Sequence, residues 1–271
     1  MIAHKTTQSE QGTIGAHLAY FRVGSGQPLV YLPGLTTHHR QPQGMDRWFQ
    51  VSQVKPFSRQ RQVWWVQRPE GLALGTTMED IADAYAAALC DLFDSPVDVV
   101  GSSTGGTVAL QLVADHPEAV RRLVLLSSAC RLGASGLRAE RILAEHLRQG
   151  RTRQASAQMM SMLAASWLGE RLLAAFGWLV GTTLKGEGLS DMLITIDAEN
   201  ALDLTPRLPA IATPTLVIGG GRDRYYGADA FRDTSSGLPN GRLVLYPDKG
   251  HAGAQTDRRA IDAVFRFLDE P

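Results

Sequence analysis

Short runs of almost wholly apolar residues recur along the chain. They occupy 16–24, 28–34, 62–69, 96–101, 121–128, 213–220 and 242–247. Runs of this kind are typical of strands that are buried on both faces of a parallel sheet. Between the runs, apolar residues recur at helical spacing, as Ile81, Tyr85 and Leu89 do. The alternation predicts an α/β fold, with a mostly parallel, twisted sheet that helices cover on both faces.

Local signals set the ends of several predicted helices. Thr76 and Glu79 have the spacing of a capping box and predict the start of one helix. The helix after the run 96–101 is expected to end near His116, because a proline follows it. A last helix is predicted over 256–268.

The middle of the chain breaks this alternation. No strand pattern occurs in it, and four helical pieces are predicted at 137–149, 153–168, 170–184 and 190–201. We therefore expect a core formed by 1–130 and 213–271, interrupted by a helical cap over 131–212. Ligands of open α/β sheets bind beyond the carboxyl ends of the strands, so the cap is expected to cover that edge.

Composition narrows the possible partners. The chain has 271 residues, and its 27 basic and 27 acidic residues give zero formal net charge, which argues against nucleic acid as a partner. No apolar stretch reaches the roughly 18 residues of a membrane span. Because 1–15 lack an apolar leader segment, we expect a cytoplasmic protein. Cys90 and Cys130 are expected to be buried free thiols, and both a monomer and a homodimer remain possible.

The stretch VVGSSTGG, residues 99–106, joins a predicted strand to a predicted helix. A phosphate-binding loop would need a lysine after it, and a dinucleotide fingerprint would need a different glycine spacing. The frame G-x-S-x-G fits one serine, Ser103, with Gly101 and Gly105 on either side. At such a nucleophile elbow, glycines remove Cβ atoms that would collide, and the helix N-terminus favours an oxyanion. A plain structural turn is the alternative interpretation.

Four more landmarks accompany the elbow. They are YLPGL (31–35), HPEAVRRLVLLS (116–127), IATPTLVIGGGRDRY (211–225) and DKGHAG (248–253). With these motifs the chain resembles the α/β-hydrolase superfamily of serine hydrolases over essentially its whole length. The resemblance implies the chain order nucleophile, acid, base.

Two further catalytic positions follow from that order. His251 lies in a loop after the last strand and is the expected base. Asp223, just after the run 213–220, is the expected acid that orients the imidazole. Asp248 and Asp229 are the alternatives for the acid.

The resemblance also implies an oxyanion hole of two backbone N–H groups, those of Thr104 and Leu35. Many relatives carry histidine where Pro33 stands, but the donor is the residue after Gly34, so the hole is retained. Candidates to line an apolar substrate pocket are His38, Met159, Met162 and Trp167. A surface position for His38 and ordinary cap packing for the others are the competing interpretations.

The expected function is hydrolysis of a small or medium hydrophobic carboxylic ester through an acyl-enzyme, with no metal or organic cofactor. Serine at position 103 argues against dehalogenases and epoxide hydrolases, whose nucleophile is aspartate. Carbon–carbon hydrolases usually carry Asn and Met beside the serine, where this chain has Ser102 and Thr104. A lactonase, thioesterase, aminopeptidase, carbon–carbon hydrolase or perhydrolase would keep the same triad. A small-molecule receptor, or a cyclase or acyltransferase, is the alternative from another class.

Overall fold

The computed structural model describes residues 10–15, 17–183 and 188–271. Within these residues, eight strands form a single sheet. In chain order they are β1 (Glu10–Ile14), β2 (Leu18–Gly24), β3 (Pro28–Leu32), β4 (Gln62–Val66), β5 (Val97–Ser102), β6 (Val120–Leu126), β7 (Thr215–Gly220) and β8 (Gly241–Tyr246).

The strands follow the order β1-β2-β4-β3-β5-β6-β7-β8 across the sheet. The pairs β1–β2 and β2–β4 are antiparallel, and all other neighbouring pairs are parallel. The parallel strands therefore end at one common edge. Because β5 lies between β3 and β6, the residues that follow β5 are flanked by the ends of two neighbouring strands. The expected α/β architecture is confirmed.

Ten α-helices occur among the described residues. They are α1 (Gly44–Val54), α2 (Met78–Leu92), α3 (Thr104–Asp115), α4 (Ala134–Arg148), α5 (Thr152–Ser161), α6 (Trp167–Val180), α7 (Leu189–Ala201), α8 (Gly227–Gly237), α9 (His251–Gln255) and α10 (Arg258–Leu268). Short 3₁₀ segments lie at Phe57–Arg59, Pro117–Ala119, Gly181–Thr183 and Thr205–Ala210.

Both faces of the sheet are buried, which explains the continuous apolar runs. Val99 of β5 packs in a cluster with Ile81 of α2 and Val108 of α3. Its neighbour Val100 points to the opposite face and packs in a second cluster with Val264 of α10. Alternate residues of one strand thus contribute to two separate apolar layers.

Between β6 and β7 the described residues form α4 to α7 and the 3₁₀ segments Gly181–Thr183 and Thr205–Ala210, without a strand. The four helices overlap the four predicted pieces, and apart from the end of α7 at Ala201 they begin and end at different residues. The predicted helix 170–184 is α6, which begins at Trp167 and ends at Val180. Residues 1–9, Ala16 and 184–187, on which some of the predicted boundaries fall, lie outside the described residues. No helix of the described part of the chain combines the length and apolar character needed to cross a bilayer.

Two elements lie where the sequence pattern predicted none. Strand β1 is at the edge of the sheet and is mostly exposed, so its sequence lacks an apolar run. Helix α1 buries only Gln50 and Val54, and it leaves Met45, Trp48 and Phe49 exposed. Its apolar residues therefore do not form the core-facing stripe on which helix prediction depends.

The capping box of α2 was placed one residue too early. Thr77 and Asp80, rather than Thr76 and Glu79, exchange hydrogen bonds at its first turn. Both pairs have the same spacing and chemistry, so the sequence alone does not distinguish them.

One other expectation was wrong. Cys90 is exposed, while Cys130 is buried as expected. The helix predicted over 256–268 is confirmed as α10, which begins two residues later because Asp257 caps it through a hydrogen bond from the N–H of Arg259. The short helix α9 that precedes it was not predicted.

Candidate active site

Ser103 forms the turn between β5 and α3. Its backbone has φ of 52° and ψ of −127°, a left-handed region that non-glycine residues seldom occupy. Two hydrogen bonds hold the turn. The N–H of Ser103 donates to the carbonyl of Leu126, at 3.0 Å, and the N–H of Gly106 donates to the carbonyl of Ser103, at 2.7 Å. Strain that is maintained in this way is typical of functional sites.

The flanking glycines are required by close backbone packing. A Cβ atom on Gly101 would lie 2.5 Å from the carbonyl oxygen of Gly105 and from the Cα of Gly106. A Cβ atom on Gly105 would overlap the carbonyl oxygens of Leu32 and Pro33. The helix α3, which follows Ser103, therefore lies directly against the loop that follows β3.

We expect Gly105→Ala to lower the free energy of unfolding by about 3 kcal/mol, because the obstructing atoms are backbone and cannot rotate away. Equilibrium urea unfolding measures this loss. Gly253→Ala is the matched control, since its Cβ atom would meet only the Lys249 side chain, at 3.4 Å or more. Equal stability of the two variants would contradict the prediction.

His251 and Asp223 approach Ser103 from the ends of the last two strands. The Oγ atom of Ser103 lies 3.0 Å from Nε2 of His251. Nδ1 of the same imidazole lies 2.8 Å from Oδ2 of Asp223. The side chains of His251 and Asp223 are almost fully buried. The three residues expected from the motif order thus form one continuous chain of hydrogen bonds, whereas Asp248 is exposed and Asp229 pairs with Arg232.

Asp223 is fixed by the backbone of the next residues. Its Oδ1 accepts the N–H groups of Tyr225, at 2.8 Å, and Tyr226, at 3.1 Å. The ring of Tyr226 lies nearly parallel to the His251 imidazole, with 6.0 Å between the ring centroids. Ser127 donates a hydrogen bond to the carbonyl of His251. The imidazole is therefore held in one orientation from several sides.

The two expected oxyanion donors lie beside Ser103. Thr104 is the first residue of α3, and Leu35 follows the glycine after β3. Among the described residues, no acceptor takes a hydrogen bond from the N–H of either one. A Cβ atom on Gly34 would be 3.3 Å from Cβ of Ser103, so the Gly34–Leu35 peptide lies next to the serine.

The buried carboxylate of Glu199 links α7, which lies between β6 and β7, to the helix that follows the Ser103 elbow. Glu199 of α7 accepts hydrogen bonds from the hydroxyls of Thr107 and Tyr226, each at 2.9 Å. Burial raises the pKa of Glu199, and hydrogen bonds from Thr104, Thr107 and Tyr226 oppose that rise. Burial, followed by the charge of Glu199, raises the pKa of Glu140 in α4 well above its ordinary value. Helix α7 thus places an acidic group against α3, which follows the nucleophile, and against the tyrosine beside His251.

His39 is a second buried titratable group near the site. Its Nδ1 lies 2.9 Å from the carbonyl of Pro69 and 4.0 Å from Asp191. Burial and then the charge of Arg68 lower the pKa of His39 to about 3, the neighbouring His38 adds to this, and the Pro69 carbonyl opposes it. The imidazole is therefore neutral at physiological pH.

This lowered pKa predicts a pH-dependent stability. In the unfolded chain the pKa of His39 is about 6.5, so between pH 6.5 and about 3 the unfolded state binds more protons. The contribution of His39 is complete above that range and is lost as the pH falls. Between pH 6 and 4.5, wild type should lose about 1.4 kcal/mol per pH unit more than His39→Asn. Parallel urea-unfolding curves for the two proteins would contradict this.

The candidate pocket residues lie in different environments. Met162 is buried in the main core cluster, and Met159 packs against a smaller apolar cluster of α4, α5 and α7. His38 is half-buried. Trp167 is 68% exposed, with the Arg171 guanidinium over its ring, so the structure does not enclose it in a pocket.

Three residues near the site were not singled out from sequence: Arg68, Tyr226 and Glu199. Arg68 had a usable signal, because it is charged and comes two residues after a strand that ends at the site edge. Glu199 shares with Asp191 and Thr195 a four-residue spacing of polar side chains, all buried on one face of α7. Tyr226 had no comparable signal.

Comparison with known proteins identifies the family of this chain. The sequence model of a family described as "Alpha/beta hydrolase family" matches residues 29–266. The chain belongs to the alpha/beta hydrolase family. As a member of it, the chain is a hydrolase-type enzyme, in keeping with the names of its relatives.

Individual alpha/beta hydrolases match at moderate identity. A Klebsiella pneumoniae protein that is named, provisionally, carbamate hydrolase RutD is 29% identical over 73% of this chain and 73% of its own. A pimeloyl-[acyl-carrier protein] methyl ester esterase of Neisseria meningitidis is 30% identical over 72% of this chain and 64% of its own. The crystal structure of an enol-lactonase from Burkholderia xenovorans superimposes with a TM-score of 0.75 at 20% identity, covering 96% of this chain and 100% of its own. That last likeness concerns the fold alone.

Proposed function

We propose that this alpha/beta hydrolase is a serine esterase that cleaves a small or medium hydrophobic carboxylic ester through Ser103, His251 and Asp223. The observation that carries the proposal is the strained serine at the end of β5, hydrogen-bonded to an imidazole that a buried carboxylate orients. A hydroxyl is a weak nucleophile until a base takes its proton, and this arrangement supplies the base and its orienting acid.

Each group has a defined part in the proposed mechanism. Nε2 of His251 takes the hydroxyl proton while Oγ of Ser103 forms a bond to the ester carbonyl carbon. The N–H groups of Leu35 and Thr104 donate to the oxyanion that develops. His251 then protonates the departing alcohol oxygen as the carbon–oxygen bond breaks. Water, deprotonated by the same imidazole, hydrolyses the acyl-enzyme and frees Ser103.

The proposed preference for an apolar substrate rests on the surroundings of Leu35. Its side chain packs, with that of Met159, against an apolar cluster of α4, α5 and α7. The residue that donates one oxyanion hydrogen bond therefore borders an apolar surface. Neutral apolar acyl or alcohol groups suit such a surface better than charged ones.

A fluorophosphonate probe with mass spectrometry tests the nucleophile. Wild type should gain one phosphonyl adduct on the peptide that contains Ser103. The matched variant Ser102→Ala should gain the same adduct, and Ser103→Ala should gain none. A folded wild type that stays unlabelled, or equal labelling of Ser103→Ala, would overturn the proposal.

Carbamate hydrolysis is a second candidate, because the relative at 29% identity is named for it. A carbamate carbonyl would undergo the same attack by Ser103, but it is less electrophilic than an ester carbonyl. A panel of nitrophenyl esters, lactones, thioesters and carbamates at equal concentration would rank the substrate classes by kcat/KM. We expect the short-chain esters to rank first, and a higher value for the carbamates would favour the second candidate.

A further inference from the structure

Arg68 is a fully buried cation two residues after β4, and its guanidinium group contacts the loop that follows β3. Nη1 donates to the Pro33 carbonyl at 3.0 Å, and Nη2 donates to the Gly34 carbonyl at 3.1 Å. Nη2 also contacts the Thr36 hydroxyl at 3.1 Å, and Nε contacts Nε2 of His39 at 3.3 Å. Among the described residues, no carboxylate forms an ion pair with this guanidinium.

A buried charge without an ion-pair partner is costly unless hydrogen bonds replace its hydration. Here two backbone carbonyls, a hydroxyl and a neutral imidazole supply those bonds. The Nε–H of Arg68 needs an acceptor, so His39 must carry its own proton on Nδ1, which faces the Pro69 carbonyl. The neutral state of His39 is therefore a condition for the full set of contacts.

One of these contacts is to the peptide unit that supplies the oxyanion donor. The Gly34 carbonyl and the Leu35 N–H belong to the same planar peptide, and the described residues contain no cis peptide bond. In a trans peptide the C=O and N–H groups point in opposite directions. When Arg68 holds the carbonyl on one side, the N–H is directed to the other side.

The orientation of the Gly34–Leu35 peptide matters for the reaction because this peptide lies beside Ser103. A Cβ atom on Gly34 would be 3.9 Å from Oγ of Ser103, so the peptide borders the space where the carbonyl carbon is attacked. A hydrogen bond from a cation to the carbonyl also polarises the amide and strengthens its N–H as a donor. Arg68 thus affects both the direction and the strength of the Leu35 N–H.

We propose that Arg68 is a positioning residue for acyl transfer, which orients and polarises the Gly34–Leu35 peptide for the oxyanion through its hydrogen bonds to the carbonyls of Pro33 and Gly34. This inference rests on the proposed serine-hydrolase function. Arg68 itself does not contact the reacting atoms.

The test compares Arg68→Met and Arg68→Lys with Arg61→Met in the full-length chain. Arg61 is the matched control, since it is also buried but pairs with Asp269 at the other end of β4. With a nitrophenyl ester, Arg68→Met should lower kcat about 100-fold and Arg68→Lys about 10-fold, with KM changed less than twofold. Lysine retains the charge but does not hold two carbonyls with a planar fork. Arg61→Met should keep kcat within twofold of wild type.

A boronic acid that forms a tetrahedral adduct with Ser103 separates positioning from general loss of structure. Its inhibition constant should rise in parallel with the fall in kcat/KM across the Arg68 variants, and it should be unchanged in Arg61→Met. Urea unfolding and near-ultraviolet circular dichroism identify variants that are not folded. If Arg68→Met is among them, Arg68→Lys provides the decisive comparison.

Three results would overturn the inference. They are wild-type kcat in a folded Arg68 variant, a change confined to KM, or an unchanged boronate affinity. Failure of the proposed function looks different, because wild type itself would then show no turnover that depends on Ser103. That result would remove both proposals, whereas full activity of the Arg68 variants would remove only the second.

Discussion

Replacement of Ser103 by alanine is expected to lower kcat/KM for ester hydrolysis by roughly 10⁴- to 10⁶-fold. The hydroxyl supplies the atom that bonds to the acyl carbon, and His251 cannot substitute for it from its position 3.0 Å away. The fold should be unaffected, because the Ser103 turn is held by backbone hydrogen bonds, which alanine retains. Steady-state kinetics with a nitrophenyl ester, together with urea unfolding, measure both effects.

The neighbouring hydroxyl provides the control for this prediction. Ser102 is buried at the end of β5, where its hydroxyl lowers the pKa of the Tyr31 phenol against the larger effect of burial, and the described hydrogen bonds of the triad do not include it. Ser102→Ala should cost about 1 kcal/mol of stability and leave kcat within about tenfold of wild type. If Ser102→Ala lost as much activity as Ser103→Ala, the assignment of the nucleophile from the glycine frame would be wrong.

The glycine frame illustrates what sequence can predict about this site. Gly101 and Gly105 are needed for steric reasons that any strand–elbow–helix turn shares, so their spacing selects Ser103 without a structure. The parallel sheet is likewise predictable, because fully apolar runs are typical of strands that are covered on both faces. Once those strands are parallel, residues that follow β5, β7 and β8 meet at one edge, and the side chains of Ser103, Asp223 and His251 do so.

Local signals mark Arg68 and Glu199 as unusual, but no local pattern encodes the partners that these side chains contact. Arg68 is buried because the loop after β3 offers it carbonyl acceptors, and that pairing joins residues more than 30 positions apart. Glu199 of α7 hydrogen-bonds Thr107 of α3 and Tyr226, which directly precedes α8. Strand β1 was missed for a different reason, since an exposed edge strand has no apolar signature. Sequence thus predicted the residues aligned by strand ends, and missed those placed by long-range polar contacts.

Replacement of Asp223 by asparagine is expected to lower kcat about 10⁴-fold with little change in KM. The carboxylate uses both oxygens as acceptors: Oδ1 takes the backbone N–H groups of Tyr225 and Tyr226, and Oδ2 takes the Nδ1–H of His251. An asparagine has only one acceptor oxygen. If that oxygen keeps the two backbone N–H groups, the amide NH₂ faces Nδ1 of the imidazole. Nδ1 must then be an acceptor, the imidazole proton moves to Nε2, and the base can no longer take the proton of Ser103.

Asp248→Asn is the matched comparison for this prediction, because Asp248 lies in the loop between β8 and His251, the first residue of α9, but is exposed. The Asp248→Asn variant should retain kcat within about twofold of wild type, since solvent screens the exposed charge of Asp248. Steady-state kinetics of the two variants at one pH, with unfolding curves to establish that both are folded, decide between the two carboxylates. A large loss in Asp248→Asn with activity retained in Asp223→Asn would reassign the acid. Equal activity of both variants would instead mean that the orientation of His251 depends on Tyr226 and Ser127 rather than on a carboxylate.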